Sequence, residues 1–599
     1  MVSSPVPLSV DLVTAQYQQS LTAVGDSLAL TAALATLPLL TVFVCLGVLK
    51  LKAQWAGLAG VAVALAVAVL GMGMPLGLGL LSAAQGAAFG VFPIMWIVIA
   101  ALWLYQLTVV SGRFEDLRST FAMVSDDPRI QAVIIAFCFG GLLEALAGFG
   151  APVAISGLML LALGIKPLRA AVTVLLANTA PVAFGALAIP IIVAGNLTDI
   201  PVDDLGAIVG RQTPLLAMFV PLLLVGVIDG LRGMREVWPA ALVTGGSFAL
   251  AQFLSSNFFS VELTDVVAAL VALGATVVFL RVWQPRGTAA AIARITGSDE
   301  DQAVGSTGAG RPVPSGRPVP AAQGGAQPSG TTTAVDDDDA ARAAVSGPRP
   351  TAGQVWMALF PYLLVVGVFA VAKLVAPVKE LLALPTFAIS WPGLDGAILS
   401  TAGDPIAATY SVPLLETPGT LIFLSGVVVA AVYRIPARVA AAELGMTVYR
   451  LRFAILTVAS VLALAFVMNS SAQTVALGTW IAGAAGAAFP FIAPVLGWIG
   501  VAVTGSDTSA NALFATLQKT AAAEIGADPG LLVAANTTGG VVGKMISPQN
   551  LVIAAAAVGL AGREPQIFRK VLPWSILLLV VLCLLIGLQS TPVLSWMLP

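Results

Sequence analysis

The sequence predicts an all-α, polytopic membrane protein with about 10–14 transmembrane segments, arranged as two structurally repeated halves that contain broken helices. Two observations carry this prediction. Of 599 residues, 58% are hydrophobic and only 10% are charged, whereas soluble proteins carry about 25% charged residues. Apolar runs such as 28–49, 89–110 and 571–587 approach the roughly 20 residues that cross a bilayer as a helix.

The composition also excludes several classes of function. The net charge of −2 offers no field that would attract nucleic acid, and the chain contains no histidine, so a Ser-His-Asp arrangement is impossible. Cys45, Cys138 and Cys583 lie far apart in apolar runs and are typical of packed residues rather than of a disulfide framework. No phosphate-binding lysine motif is present, which argues against ATP-driven transport. We expect no cofactor and no metal.

Four regions follow one another along the chain. Residues 1–26 are predicted to be an extracytoplasmic tail, 27–285 the first transmembrane half, 286–350 a disordered cytoplasmic linker, and 351–599 the second transmembrane half. The linker is rich in Gly, Pro, Ser and Thr, and such a segment buries too little apolar surface to offset its ordering entropy.

Basic residues predict the orientation of the spans, because cytoplasmic loops carry the excess of Lys and Arg. They cluster at Lys50, Lys52, Arg113, Arg118, Arg232, Arg235, Arg281, Arg286, Arg434, Arg438, Arg450, Arg452, Arg563, Arg569 and Lys570. Placing all of them in the cytoplasm puts both termini outside and the linker inside. The N-terminus lacks the features of a cleavable signal peptide, so the first span is expected to act as an uncleaved one.

Two regions, 140–195 and 478–557, interrupt the apolar pattern with Gly, Pro, Asn, Ser and Thr. Each contains a polar glycine turn ("GFGAP", "GSDTSAN"), a helix, a second turn, and a helix predicted to end at Ala-Asn-Thr ("ANTAPVAFG", "ANTTGGVVG"). Backbone groups freed by such breaks must face protein or a water-filled cavity. Paired broken helices in corresponding places indicate a transporter binding site, and their N-terminal ends favour an oxyanion.

Three of the charged residues in these regions are candidates for the transport chemistry, and each leaves an alternative open. Glu144 is the first candidate for a proton carrier, because burial disfavours the charged form of a carboxylate; it could instead be paired with a basic residue or cap a helix. Asp507 is the second candidate, and could equally be a helix N-cap. Lys544 is the candidate partner of a substrate carboxylate, and could instead reach the membrane surface.

Four segments, "EALAGFGAPVAI", "KPLRAAVTVLLANTAPVAFGALAIPI", "TGSDTSANALFATLQ" and "ANTTGGVVGKMISPQN", resemble signature segments of the bacterial L-lactate permease family. The resemblance covers most of the chain outside the linker and the N-terminal tail. It implies uptake of lactate, and often glycolate, with protons across the cytoplasmic membrane. It also implies inverted repeats with re-entrant hairpins, and places Asn178, Thr179, Asn536 and Thr537 at hairpin or broken-helix tips around the substrate.

We therefore expect a proton-coupled symporter of lactate and related 2-hydroxymonocarboxylates in a bacterial plasma membrane, not an enzyme. The expected substrate-binding residues are Gly148, Gly150, Asn178, Thr179, Ser506, Thr508, Asn536, Thr537, Lys544 and Ser547. The hydroxyl of the substrate is assigned to Ser506, Thr508 or Ser547. The expected partners are the monocarboxylate, protons and the lipid bilayer, and no nucleic acid. The sequence is also compatible with a homo-oligomer.

Three alternatives remain open at this point. A sodium-coupled carboxylate symporter would use Asp507, Asn511 and Asn536 with backbone carbonyls to coordinate the cation. An integral-membrane enzyme would need clustered charged groups at the membrane surface, whereas the polar residues here lie inside broken spans. A passive channel would not accumulate its substrate against a gradient.

Overall fold

The computed structural model describes residues 16–122, 124–146, 148, 150–296, 351–384 and 386–599. Within these residues, ten helical segments are long and apolar enough to cross a membrane. Between them lie four shorter apolar helices, three in the first interrupted region of the sequence and one at Pro418–Val432. The predicted all-α polytopic membrane fold is therefore confirmed.

The first half contains fifteen described helices. They are α1 (Leu28–Ala35), α2 (Leu37–Phe43), α3 (Ala53–Ala66), α4 (Leu76–Phe89), α5 (Trp96–Val110), α6 (Arg113–Ala122), α7 (Pro128–Val133), α8 (Gly140–Leu146), α9 (Ala151–Ala162), α10 (Pro167–Ala177), α11 (Gly185–Thr198), α12 (Val202–Ala217), α13 (Val220–Phe258), α14 (Thr264–Val282) and α15 (Thr288–Thr296). Short π-helical stretches at Val44–Val48, Val67–Gly71, Gly90–Met95 and Ile134–Phe139 interrupt or extend these helices.

The described part of the second half contains ten helices. They are α16 (Ala352–Leu374), α17 (Ala376–Ala383), α18 (Pro418–Val432), α19 (Ala437–Ser470), α20 (Gln473–Ala485), α21 (Phe489–Thr504), α22 (Asp507–Ile525), α23 (Pro529–Gly543), α24 (Pro548–Ala557) and α25 (Glu564–Gln589). Single 3₁₀ turns lie at Gly486–Ala488, Lys544–Ile546 and Ser595–Met597.

Four short strands, which the sequence analysis did not predict, lie outside the spans. Strand β1 (Tyr17–Gln18) pairs in parallel with β3 (Ile398–Leu399). Strand β2 (Thr386–Ser390) pairs with β4 (Thr409–Pro413) in antiparallel register, with Thr386 opposite Pro413. The loop between α17 and α18 is thus an ordered cap that also ties down the N-terminal segment.

The longest apolar segment, Val202–Phe258 with 57 residues, is two crossings rather than one. A straight helix of that length would measure about 85 Å, while the hydrocarbon layer is about 30 Å thick. The chain reverses at Gly230, whose φ of 70° and ψ of −165° are not helical. A Cβ on Gly245 would lie 2.1 Å from the carbonyl oxygen of Met218, so the second crossing packs closely against the first.

The predicted linker begins at residue 286, but its first residues are folded. Residues Thr288–Thr296 form α15, and Arg294 bonds Asp229 at 2.8 and 2.7 Å. Asp229 also accepts a hydrogen bond from Nη1 of Arg129, whose side chain is fully buried. The expectation of disorder from 286 is therefore wrong for α15, because these ion pairs fix it to α7 and α13. Residues 297–350 lie outside the described part of the chain.

The chain turns back on itself within each interrupted region. We call 128–162, which comprises α7, the following π-helical residues, α8 and α9, hairpin A. Ser156 Oγ of α9 donates to the carbonyl of Ile135 at 3.3 Å, so the two arms of hairpin A lie side by side. We call 489–525, which comprises α21 and α22, hairpin B. A Cβ on Gly500 would lie 2.9 Å from Ala510 Cβ, so its arms also lie side by side.

A discontinuous helix follows each hairpin. Broken helix A (167–198) consists of α10, a non-helical stretch and α11, and broken helix B (529–557) consists of α23, the turn Lys544–Ile546 and α24. Lys519 Nζ of hairpin B donates to the carbonyl of Thr198 at 2.5 Å, at the end of broken helix A. Hairpin A instead adjoins the start of broken helix A, because α9, the last helix of hairpin A, is followed directly by α10. The two hairpins therefore enter from opposite ends of broken helix A.

Helices α3, α4, α5, α16, α18 and α19 form a second body beside these elements. Within it α3 and α4 pack against α19, and α5 and α16 pack against α18. The interrupted regions of the two halves pack against each other where α9 and α10 meet α24 and where α11 meets α22 and α23. The next helix, α12, also packs against α23. The site described next lies at this junction.

Candidate functional site

The tips of both hairpins are built from glycines in left-handed backbone. Gly148 and Gly150 have φ of 50° and 87°, and Gly505 has φ of 76°, a region that glycine enters without steric cost. A Cβ on Gly148 would lie 3.4 Å from Ala186 Cβ, and one on Gly505 would lie 2.5 Å from Gln549 Oε1. Each tip therefore lies against the broken helix of its own half.

Glu144, four residues before Gly148, joins the two halves of the chain. Its carboxylate is buried and accepts from Lys544 Nζ at 2.5 Å and from Asn178 Nδ2 at 3.0 Å. Lys544 is itself buried, with 9% of its surface exposed, so it does not reach the membrane surface. Hairpin A, broken helix A and broken helix B thus meet at one charged cluster, which we call the Glu144 cluster.

Broken helix A opens at Asn178 because of the proline that follows. Residues between α10 and α11 are non-helical, and Asn178 is the last capping residue of α10. Pro181 disfavours helical backbone in the residue before it and lacks an N–H for the helix. Ala186, Leu187 and Ala188 then adopt left-handed backbone with φ of 45°, 62° and 58°, and such strain in non-glycine residues is concentrated at functional sites.

A second buried carboxylate, Asp507, lies in hairpin B. It is the first residue of α22, and the helix cap is its neighbour Ser506, whose side chain accepts from Ser509 N–H. Both carboxylate oxygens of Asp507 are buried and have no hydrogen-bond partner among the described residues. A Cβ on Gly540 of broken helix B would lie 2.1 Å from Asp507 Oδ1, so only glycine at this position leaves room for the carboxylate.

A network of amides lies between Asp507 and broken helix A. Asn511 Nδ2 donates to the carbonyl of Pro190 and to Thr537 Oγ1, each at 2.9 Å. Asn536 Nδ2 donates to Asn511 Oδ1 at 2.8 Å, and Asn536 Oδ1 is buried without a partner among the described residues. The network connects α22 and α23 to the first half of the chain. It leaves Asn536 Oδ1 as an acceptor without a partner among the described residues, next to α22, the helix that begins with Asp507.

The expectation that Asn536 and Thr537 end a helix is wrong. Both lie in the interior of α23, which continues to Gly543. The glycines after them serve close packing instead, since a Cβ on Gly539 would lie 2.0 Å from the carbonyl oxygen of Pro494. Broken helix B opens at Lys544–Ser547, directly before Pro548. Proline, rather than the repeated Ala-Asn-Thr, therefore sets the position of each break.

The remaining predicted residues line these same breaks. Ser547 caps α24 by accepting from Asn550 N–H and donates to the carbonyl of Lys544 at 3.0 Å. Thr179 Oγ1 donates to the carbonyl of Leu176 at 2.7 Å. Thr508 is half-buried beside Asp507 at the tip of hairpin B. The structure therefore brings Thr179 and Ser547 to the breaks, and Ser506 and Thr508 to the second hairpin tip.

One supporting residue was missed by the sequence analysis. Asp265, fully buried in the first turn of α14, accepts from Gln252 Nε2 at 2.9 Å, and Gln252 also donates to the carbonyl of Ala180 at 3.2 Å. This pair holds the open segment of broken helix A in place. The available signal was a single carboxylate at the start of an apolar run, which resembles an ordinary helix N-terminus.

The arrangement can hold a small anion and move a proton. It supplies one ammonium group, two buried carboxylates in different environments, and amide and hydroxyl groups at two helix breaks. A carboxylate that binds Lys544 would have to compete with Glu144 or follow its protonation. Among the described residues, no group of three or more His, Cys, Asp or Glu side chains could hold a metal ion.

Comparison with known proteins identifies the family of the chain. The family model described as L-lactate permease matches residues 31–593. The L-lactate permease of Bacillus subtilis (strain 168) is 41% identical, over 98% of this chain and 100% of that protein. The glycolate permease GlcA of Escherichia coli (strain K12) is 40% identical, over 94% and 96% of the two chains. With its ten candidate spans and this match across nearly its whole length, the chain is a transporter, not an enzyme, and belongs to the L-lactate permease family.

Proposed function

We propose that this protein is a proton-coupled symporter that takes up lactate and related 2-hydroxymonocarboxylates, including glycolate, across the bacterial plasma membrane. The names of its relatives, L-lactate permease and glycolate permease, support this substrate class. The observation that carries the proposal is the Glu144 cluster, in which a lysine and a carboxylate from opposite halves of the chain are buried together.

In this proposal Lys544 binds the carboxylate of the substrate. A buried ammonium group needs an anionic partner, and Glu144 provides one in the substrate-free protein. When Glu144 takes up a proton it no longer neutralises Lys544, and the substrate carboxylate replaces it. One proton and one monocarboxylate then occupy the site together, which is the requirement for symport.

Asp507 is the second proton carrier in this proposal. It lacks a cationic partner within 4.0 Å among the described residues, and its oxygens are free of hydrogen bonds. Burial without a partner favours the neutral form of a carboxylic acid. Ser506 and Thr508 beside it, or Ser547 beside Lys544, would bind the substrate hydroxyl. Gly148, Gly150, Asn178 and Thr179 complete the site from the first half, and Asn536 and Thr537 from the second.

Alternating access would follow from the two hairpins, which approach from opposite ends of broken helix A. If the basic loops are cytoplasmic, hairpin A opens toward the cytoplasm and hairpin B toward the outside, with both termini outside. The two halves would then be inverted repeats. Each hairpin could move separately against the body formed by α3, α4, α5, α16, α18 and α19.

The test is uptake of radiolabelled lactate into proteoliposomes with an imposed pH gradient. Wild type is expected to accumulate lactate when the outside is acidic, and Glu144→Gln is expected to lose pH-driven accumulation. A matched control is Glu524→Gln, the same change at an exposed side chain that bonds Thr479; it should transport like wild type. Retained pH-driven accumulation in Glu144→Gln would overturn the assignment of the proton to Glu144.

The same vesicles distinguish the coupling ion. Replacing sodium with choline should leave pH-driven uptake unchanged. Uptake that requires a sodium gradient and ignores the pH gradient would instead assign Asp507, Asn511 and Asn536 to a sodium site. Equilibration of lactate without accumulation would identify a passive channel and contradict symport.

A further inference from the structure

A groove lies on the outer surface of the helices, away from the Glu144 cluster. Its volume is about 420 Å³, and it is a groove between α12, α13 and the C-terminal 3₁₀ turn. Its walls are largely apolar and include Pro214, Met218, Leu250, Phe253 and Trp596. None of the residues proposed to bind the substrate or carry the proton lines it.

Gly246 keeps this groove open toward the surrounding membrane. A Cβ on Gly246 would meet no atom within 4 Å, so the wall is recessed at this point. Leu250, one helical turn further on, is 59% exposed, and Trp596 is 75% exposed. Since α13 belongs to a candidate membrane-spanning segment, the exposed Leu250 faces lipid.

One end of the groove carries a cation, Arg211. Its Nε donates to Asn257 Oδ1 and its Nη1 to the carbonyl of Met597, each at 2.9 Å. A guanidinium has five N–H donors, so three remain for another acceptor. Arg211 forms none of the ion pairs found among the described residues, and its charge therefore has no anionic partner there.

The neighbours of Arg211 place it near the membrane surface. Asn257, its hydrogen-bond partner, is the second-last residue of α13, which ends at Phe258. Trp596 lies at the same end of the groove, beside Met597, and tryptophan is enriched at the level of lipid head groups. The groove thus has the polarity of a membrane lipid, with a cation at the head-group level and an apolar channel extending along α12 and α13.

We propose that this groove binds a phospholipid with an anionic head group. The phosphate accepts from the free N–H groups of Arg211, and one acyl chain lies in the groove over Gly246. A planar guanidinium binds phosphate through two parallel hydrogen bonds. An excess negative charge on the head group adds to this attraction, which is why an anionic lipid is preferred to a zwitterionic one.

The test uses the full-length protein in nanodiscs of phosphatidylcholine alone or of phosphatidylcholine with phosphatidylglycerol. Native mass spectrometry measures the lipid retained by the protein, and the unfolding temperature is measured in both membranes. Wild type is expected to retain phosphatidylglycerol and to unfold at a higher temperature in its presence. Arg211→Gln is expected to retain it about tenfold less, as for loss of one charge-assisted interaction.

Two further variants separate lipid binding from folding. Gly246→Leu fills the groove and should abolish retention and the stabilisation, whereas Arg211→Lys should keep part of both. Gly274→Leu is the control, because its Cβ would also meet no atom within 4 Å but it does not line the groove. For each variant, the unfolding temperature with phosphatidylglycerol is compared with that of the same variant without it. A general loss of stability lowers both temperatures and therefore does not change their difference.

The proposal is overturned if Arg211→Gln and Gly246→Leu retain phosphatidylglycerol and gain stability from it as wild type does. It is also overturned if these variants leave lipid retention unchanged and alter the mass of the oligomer, since the groove would then be covered by a second copy of the chain. Uptake of lactate does not enter either measurement, so the outcome is independent of the proposed transport function.

Discussion

Hairpins A and B have the same architecture, but the buried carboxylate of hairpin A has hydrogen-bond partners and that of hairpin B has none among the described residues. Each has a left-handed glycine at its tip, and each places one carboxylate against a glycine of its own broken helix, Glu144 against Gly185 and Asp507 against Gly540. Glu144 is held by a lysine and an amide from two other elements. Asp507 has no partner on either oxygen among the described residues.

This difference indicates separate tasks for two similar parts. A buried charge pair fixes the relative position of the elements that carry it, and removal of one member leaves the other uncompensated. An unpaired buried carboxylic acid does not hold neighbouring elements in position, and it is stable chiefly in its neutral form. Hairpin A is therefore tied to the second half of the chain through an ion pair. Hairpin B is tied to the first half through Asn511 and Lys519, which donate to backbone carbonyls of broken helix A.

The largest effect is expected from replacing Lys544, which tests whether the Glu144 carboxylate depends on its cationic partner. Lys544→Met leaves Glu144 buried without its cation, and we expect a loss of about 3–5 kcal/mol in the free energy of unfolding. The double variant Glu144→Gln/Lys544→Met should recover most of this loss, because no charge remains. Denaturant unfolding in detergent measures both. Additive losses in the double variant would show that the two side chains are not coupled.

A smaller effect is expected from closing the space around each carboxylate. Gly540→Ala would place a Cβ 2.1 Å from Asp507 Oδ1, and Gly185→Ala would place one 3.0 Å from Glu144 Oε1. Overpacking of this kind costs about 1–3 kcal/mol, and Gly540→Ala should be the more damaging. Thermal unfolding of the two variants side by side checks the order; equal losses would contradict the tighter fit around Asp507.

Neutralising Asp507 should affect stability less than either change. Asp507→Asn removes no ion pair, and if the acid is neutral in the folded protein we expect a change of less than about 1 kcal/mol. Lactate accumulation driven by a pH gradient should nevertheless fall. A loss of stability comparable to that of Lys544→Met would mean that Asp507 carries a compensated charge, and the contrast between the hairpins would disappear.

The smallest effect concerns the strained turn in broken helix A. Left-handed backbone costs an L-residue roughly 1–2 kcal/mol, and glycine loses roughly 0.5–1 kcal/mol of chain entropy on folding. Ala188→Gly, at φ of 58°, should therefore raise the free energy of unfolding by about 0.5 kcal/mol. Ala194→Gly in the regular part of α11 is the control and should lower it. Matching losses in both variants would argue against stored strain.

The class of protein, the two interrupted regions and the charged residues within them could be predicted from the sequence alone. Hydrophobic content and run length specify membrane helices because the hydrocarbon layer has a fixed thickness and no water for free backbone groups. Glu144, Asp507 and Lys544 could be identified because charge is costly at that depth. The family could be recognised from four separated segments.

Which of these residues come into contact depends on the tertiary structure. The pair of Glu144 and Lys544 spans 400 positions, and no local pattern encodes a contact at that distance. The repeated Ala-Asn-Thr suggested two equivalent breaks, yet Asn178 ends α10 while Asn536 lies within α23. Local sequence fixes where a helix can break, through prolines such as Pro181 and Pro548. Which side chain fills the gap depends on the packing of the opposite half against it.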